Sequence, residues 1–333
     1  MNSMNLFRVF EQNLIEGLAT SSPDKIIETT VSKIFFYGNK VYKIYKYEKF
    51  FFGDFGSPDF RRNFYCEDFR WNKTMAPHVY LNLRGIKAEG EKYRLADMTE
   101  AEDFFIEMEK FDADKSLTNL LLKKEASEED LAKIVLELTS RLGELTTEKR
   151  RESEAIFSKN LLESLLAELE DDRNLLYLVP SSIAKEKTDE MVEFLKKAAV
   201  KNPYFRNFSH QKLSLLIDDH SDNIMLLDGK VEFIDVLPPK ESWRVGDLNF
   251  NICRLATDVA VLWSKEKAEA IYRAYEKLAE PIPPGVKAIY EADAALIQMW
   301  CFYDLGKSAI AEKYLKFVQE KIKVITELTN KEQ

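Results

Sequence analysis

Apolar positions at helical spacing open the chain. Leu6, Val9, Phe10, Leu14, Ile15 and Leu18 predict a helix over 5–18, ended by a Ser-Ser-Pro break. The period then changes. Val31, Ile34 and Phe36, and after them Val41, Tyr42, Ile44 and Tyr45, flank Tyr37-Gly38-Asn39-Lys40 and predict a β-hairpin. Residues 59–75 return to helical spacing until Pro77, and strand-like runs follow at 79–86, 92–97 and 103–108. Beyond about residue 112 helical periodicity dominates, over 128–147, 158–170, 186–200, 264–279, 286–303 and 307–329. The interruption is 213–236, where LSLLI, IMLL and VEFID read as short strands around a polar loop and an Asp228-Gly229 turn. The pattern predicts an α+β protein. A small β-rich N-terminal lobe over 1–108 joins a larger, mainly helical lobe over 109–333 that carries a β insert, with a hinge near Glu107–Asp112.

Composition narrows the class. The chain has 333 residues, 45% hydrophobic and 32% charged, which suits two lobes with real cores and excludes a disordered chain. Its 48 basic residues against 57 acidic ones give −9, the wrong sign for a broad nucleic-acid surface. Cys66, Cys253 and Cys301 are odd in number and far apart, so they read as reduced thiols of a cytoplasmic protein. With only His78, His210 and His220 to help them, a zinc centre is not expected. Neither a signal peptide nor an apolar run of membrane-spanning length is visible, so no membrane partner is expected.

The chemistry is concentrated in Leu216-Ile217-Asp218-Asp219-His220-Ser221-Asp222-Asn223-Ile224 and the hairpin that follows, ending in Phe233-Ile234-Asp235. Phosphoryl transfer needs a carboxylate to take the proton of the attacking hydroxyl, and oxygen ligands for the Mg²⁺ that bridges the nucleotide phosphates. An Asp, an Asn five residues later and an Asp beyond a short hairpin supply these in order. Asp218 is the candidate base, and Asn223 and Asp235 are the candidate metal ligands. The protein-kinase catalytic loop has the same five-residue spacing. Taken singly, each of these residues is also a common turn or cap former.

The segment resembles the HGDxHxxNI motif of the aminoglycoside phosphotransferases and their kinase-like relatives, with Asp218, His220 and Asn223-Ile224 in place. Leu216 and Ile217 stand where that motif has His and Gly. The N-terminal half resembles one branch of the superfamily, the bacterial aminoglycoside phosphotransferase family enzymes. The matching stretches are Val41-Tyr42-Lys43, Phe52-Gly53-Asp54-Phe55 with Arg61-Arg62, and Asn72 with Ala76-Pro77-His78-Val79-Tyr80-Leu81. Trp243-Arg244-Val245-Gly246-Asp247-Leu248 resembles the segment after that branch's metal-binding Asp. Many members carry an additional C-terminal P-loop domain, but no GxxxxGK[ST] occurs here.

The resemblance implies a bilobal protein-kinase-like fold and transfer of the γ-phosphoryl of ATP, or GTP, to a hydroxyl of a small molecule. Lys43 would bind the phosphates, held by an acidic partner on the following helix. Glu67 is preferred there for its reach, and Asp68 is the other candidate. His220 would bond within the catalytic loop or approach the transferred group. Asp219 and Asp222 read as solvated flanks, and the acidic run 164–173 as a solvated helix face. Arg254 and Asp258 read as a surface i, i+4 pair, and Trp243, Trp263 and Trp300 as core. Asp54-Phe55-Gly56 precedes the catalytic loop and is rejected as a metal site. A glycine-rich phosphate loop is missing, since only Gly17 lies ahead of the hairpin. A non-catalytic kinase-like nucleotide-binding or regulatory module is the alternative function. A protein kinase is a weaker one, without HRD or APE.

Overall fold

The computed structural model describes residues 6–16, 18, 22–50, 52–90, 92–179 and 185–331. Gly17 lies outside them. The chain divides into two compact units. The first comprises 1–113 together with 225–240, and the second 114–224 and 241–333. The hairpin expected as an insert in the helical part therefore belongs, from Met225 on, to the β-rich unit.

In the first unit, helix α1 (Leu6–Glu11) is shorter than its periodicity predicts. Asn13 adopts a left-handed conformation (φ 52°), which Asn tolerates better than most residues, and ends the helix. The chain then extends until Ile15 bridges Tyr93. Strands β1 (Lys25–Glu28), β2 (Ser32–Tyr37) and β3 (Lys40–Tyr45) follow; β2 and β3 form the expected hairpin, and β1 adds an edge the pattern did not reveal. A two-residue hairpin, β4 (Lys49–Phe50) and β5 (Gly53–Asp54), leads to α2 (Pro58–Met75). Ser57 caps α2, and Pro58 sits where a missing N–H costs nothing. Strands β6 (Tyr80–Glu89), β7 (Lys92–Ala96) and β8 (Asp103–Glu109) complete an antiparallel sheet of order β1-β2-β3-β8-β6-β7. Leu6, Val9 and Phe10 of α1 pack with Phe35, Tyr42, Ile44, Ile86 and Phe105. A second apolar cluster joins Tyr45, Phe55, Phe64 and Tyr65. Between these elements Arg61 donates to Asp103 and to the carbonyls of Tyr45 and Lys46, a buried, multiply bonded pair.

The second unit starts with α3 (Leu117–Lys123), α4 (Glu128–Glu152), α5 (Leu161–Leu178), α6 (Lys185–Lys201) and α7 (Pro203–Arg206). Helix α4 carries a complete capping box between Ser127 and Asp130. Strand β9 (Ser214–Leu215) precedes the polar loop. Strands β10 (Ile224–Leu227) and β11 (Lys230–Phe233) form the hairpin, turned at Asp228 and Gly229, both at positive φ. The chain returns through β12 (Val245–Gly246), paired antiparallel with β9, into α8 (Leu248–Leu262), α9 (Lys265–Tyr275), α10 (Pro284–Asp304) and α11 (Ser308–Lys331). Helices α8 and α10 are buried on most of their surface, so they form the centre of this unit. No helix among the described residues is long and apolar enough to cross a membrane.

Candidate functional site

Two sets of side chains carry the predicted chemistry, one in each unit. In the first unit Lys43 lies on β3, the inner side of the hairpin, and is buried. Its Nζ meets Asp235 Oδ1 at 2.5 Å and stands 4.9 Å from the centre of the Tyr45 ring. Burial works against the ammonium, but the Asp235 carboxylate first, and then Tyr45, Asp68 and Tyr80 around it, outweigh it and hold its pKa well above the ordinary value. Its neighbours thus favour the charged form of Lys43.

The helix carboxylate that faces this group is Asp68. It is buried, accepts from Tyr45 Oη at 2.7 Å and from Asn72 Nδ2 at 2.8 Å, and adds its charge at Lys43. Glu67, preferred for its reach, instead accepts from Trp71 Nε1 at 3.0 Å and pairs with Arg70. Neighbours on a helix point about 100° apart, so only one of them can look along a given strand. Asn72 also accepts from the Val236 N–H at 3.1 Å, and Tyr80 Oη accepts from the Asp235 N–H at 3.1 Å. These bonds hold Asp235 in a left-handed conformation (φ 53°) with an exposed carboxylate. Alongside, His78 Nδ1 lies 2.5 Å from the buried Glu232 on β11. The Asp54-Phe55-Gly56 tripeptide takes no part here. Phe55 is core, and Asp54 accepts from the Gly56 N–H.

In the second unit the loop 216–224 is tied down from several sides. Leu216, in the motif's first His position, is buried with its side chain against Gly246, and its N–H donates to Arg244 O. Asn251 Nδ2 on α8 reaches Ile217 O at 2.9 Å and Asp219 Oδ1 at 2.7 Å. The Ser221 N–H donates to Asp258 Oδ2, whose other oxygen accepts from Tyr314, and Ser221 Oγ bonds Thr118. Asn223 Nδ2 donates to Asp218 O at 2.9 Å. Asp218 itself is partly exposed. Its Oδ1 accepts from Arg254 Nη2 at 2.5 Å, and its Oδ2 lies 4.0 Å from His220 Nε2. Asp247 caps α8 through the Asn249 N–H and accepts from Tyr204 and Tyr290.

Several charges read as solvated are buried. Asp219 is fully enclosed. Burial raises its pKa, Arg254 and Asn251 only partly offset that, and the result is about 7. Arg254 and Asp258 are not a surface pair but separate buried anchors of the loop. Asp172, within the acidic run of α5, is buried beside Asp293 of α10. Burial raises both carboxyls well above the ordinary range, Asp172 further through the charges of Asp293 and Glu168. Trp243, Trp263 and Trp300 are partly exposed, and Trp71 of α2 is the tryptophan in the core.

Neither protein-family models nor curated proteins match the sequence. Solved structures do. Wild-type aminoglycoside 2′-phosphotransferase-IIIa in its GDP complex superposes with a TM-score of 0.56, at 10% identity over 97% of this chain and 99% of that one. A choline/ethanolamine kinase family protein from Mesorhizobium loti gives 0.53, at 11% identity over 93% and 94%. The aminoglycoside phosphotransferase APH(4)-Ia variant N202A, with AMP-PNP and hygromycin B, gives 0.53, at 12% identity over 95% and 98%. The chain has the kinase-like fold of the aminoglycoside phosphotransferases and choline kinases. At such identity the likeness establishes that phosphotransferase-like α+β architecture and assigns no residue a role.

Magnesium is implied by this fold family, and the donors suit it. In the first unit the exposed Asp235 carboxylate offers hard oxygen atoms. Among the described residues no group of three or more His, Cys, Asp or Glu side chains could hold a metal by itself.

Proposed function

We propose that this protein transfers the γ-phosphoryl group of ATP or GTP to a hydroxyl of a small molecule. The observation that carries the reading is the buried Lys43 ammonium on β3, held against the exposed Asp235 carboxylate. A charged lysine beside an oxygen ligand is what a nucleotide's polyphosphate requires. Lys43 binds phosphate oxygens, and Asp68 keeps it oriented when Asp235 turns to other work. Asp218 accepts the proton of the acceptor hydroxyl through its partly exposed carboxylate, with His220 beside it. Asn223 and Asp235 would hold Mg²⁺, which when bound neutralises charge on the transferred phosphoryl group. Most of the acceleration then comes from positioning and charge complementarity.

Nucleotide use is supported by the neighbours, solved as GDP and AMP-PNP complexes; they include a choline/ethanolamine kinase family protein and a hygromycin B complex. The three free cysteines support a reducing, cytoplasmic setting. The test is a panel of small alcohols, amino alcohols and sugars incubated with Mg²⁺ and γ-labelled ATP or GTP. Label should move to one acceptor class with the parent chain and not with Asp218→Asn, which still binds nucleotide. Full activity of Asp218→Asn would refute the assignment. One observation favours a binding-only module instead, the apolar Leu216 buried at the start of the loop. Nucleotide-dependent thermal stabilisation with no transfer or hydrolysis would select that reading.

A further inference from the structure

Helix α8, LNFNICRLATDVAVL, is buried around most of its circumference and still carries an arginine at its centre. Burying an ion pair contributes little stability compared with an apolar replacement, so a charge there calls for another reason. Arg254 is in the electrostatic reach of several carboxyls, and most of them are already occupied. Asp219 accepts from Asn251 at Oδ1 while its Oδ2 has no donor, Arg254 included, and Asp258 accepts from the Ser221 N–H and from Tyr314. Asp172 and Asp293 lie together, and Asp293 Oδ1 and Oδ2 and Asp172 Oδ2 have no hydrogen-bond donor. Adjacent carboxyls in that state share or carry a proton, which removes their claim on the guanidinium. Asp218 is the carboxylate that Arg254 touches, Nη2 to Oδ1, at 2.5 Å.

We propose that Arg254 is the positioning residue of Asp218. By holding Oδ1 it fixes a terminal torsion that is otherwise broad, and it presents Oδ2, the oxygen on the His220 side, to the incoming hydroxyl. Arg254 neither gives nor takes a proton and touches no substrate. This role rests on Asp218 being the base. It places the effect of Arg254 on turnover and not on nucleotide affinity.

The experiment follows hydrolysis of Mg²⁺·ATP, with water as acceptor, by the full chain. Arg254→Gln and Arg254→Lys are each made alone and combined with Asp218→Asn. Arg254→Gln should lower kcat at least tenfold and leave the KM for ATP within twofold, with Arg254→Lys in between. In the Asp218→Asn background the same change should leave the residual rate unaltered. Thermal unfolding of the same set should show 254 and 218 coupled. An equal loss of rate with and without the Asp218 carboxylate, or a raised KM at constant kcat, overturns the role. If Arg254→Gln does not fold, Arg254→Lys carries the same comparison. Full hydrolysis by Asp218→Asn removes the base assignment and this role together. An inactive Asp218→Asn with independent 254 effects removes this role alone.

Discussion

Lys43 and Asp235 form an ion pair of unequal members, the lysine side chain 5% exposed and the aspartate 58%. The asymmetry has a thermodynamic consequence. Removing Asp235 leaves a buried ammonium with Asp68 as its remaining carboxylate, whereas removing Lys43 leaves a carboxylate that water can solvate. Asp235→Ala should therefore cost more stability than Lys43→Met, by about 1–3 kcal/mol, since an uncompensated buried charge is the more expensive defect. Asp235 is also left-handed, a conformation that alanine resists. Both variants should lose Mg²⁺-nucleotide turnover by about 100-fold or more. Denaturant unfolding of the two side by side, with ATP hydrolysis, checks the order.

The same reasoning separates Asp68 from Glu67. Asp68 joins Tyr45, Asn72 and the charge at Lys43, and Asn72 in turn holds Val236 beside Asp235. Asp68→Asn should lower nucleotide affinity about tenfold and cost roughly 1–3 kcal/mol, the range for a buried group that loses its partners. Glu67→Gln keeps an acceptor for Trp71 Nε1 and should stay within about 0.5 kcal/mol of the parent. Calorimetric binding of ATP to the two variants decides between them, and equal losses would remove the distinction.

Much of this was legible in the sequence, and what was not has identifiable causes. Strands β2, β3 and β6–β8 and most helices follow from alternation and 3.6-residue periodicity. The short strands around the polar loop of 213–236 follow from composition and turn residues. The choice of Asp68 over Glu67 was hidden because the rotation of α2 against β3 is a tertiary fact. Two misreadings had signals that were missed. Position 172 falls in the apolar register of Leu161, Leu165, Leu169 and Leu176, so its carboxyl had to be buried. Residues 248–262 are apolar on nearly every face, so Arg254 and Asp258 could not be a surface pair. The helix at 5–18 failed for a local reason, the left-handed Asn13, which periodicity does not sense.

Asp219 gives the second unit a pH signature. Its carboxyl is raised from the ordinary 3.8 to about 7, chiefly by burial. Between those values the folded chain holds a proton that the unfolded chain has released. Stability contributed by this group is therefore full below about pH 4, falls as pH rises toward 7, and is flat above. Asp172 and Asp293, raised in the same direction, add to the slope. Asp219→Asn keeps an acceptor for Asn251 and never ionises. It should unfold at a higher temperature than the parent at pH 8, by about 2–4 °C for each kcal/mol recovered, with the gain vanishing near pH 4. A gain that is constant with pH would show that packing, not ionisation, is responsible.

Leu216 and Gly246 meet where β9 and β12 end, and the contact explains how the loop tolerates leucine in place of the motif's histidine. A Cβ on Gly246 would lie 2.7 Å from Leu216 Cδ1, so the glycine's missing side chain is the space the leucine fills. Leu216 is buried, so an imidazole there would lose apolar contact and bring two ring nitrogens into the space the leucine fills. Leu216→His should destabilise the chain by about 2–4 kcal/mol without raising turnover, and Leu216→Ala by a similar amount through the cavity it leaves. Gly246→Ala should cost about 1–3 kcal/mol by overpacking, and less when Leu216 is already alanine, because the added methyl then enters the vacated space. A double-mutant cycle on thermal stability measures that relief. Strict additivity of Leu216→Ala and Gly246→Ala would mean that the two residues do not support each other.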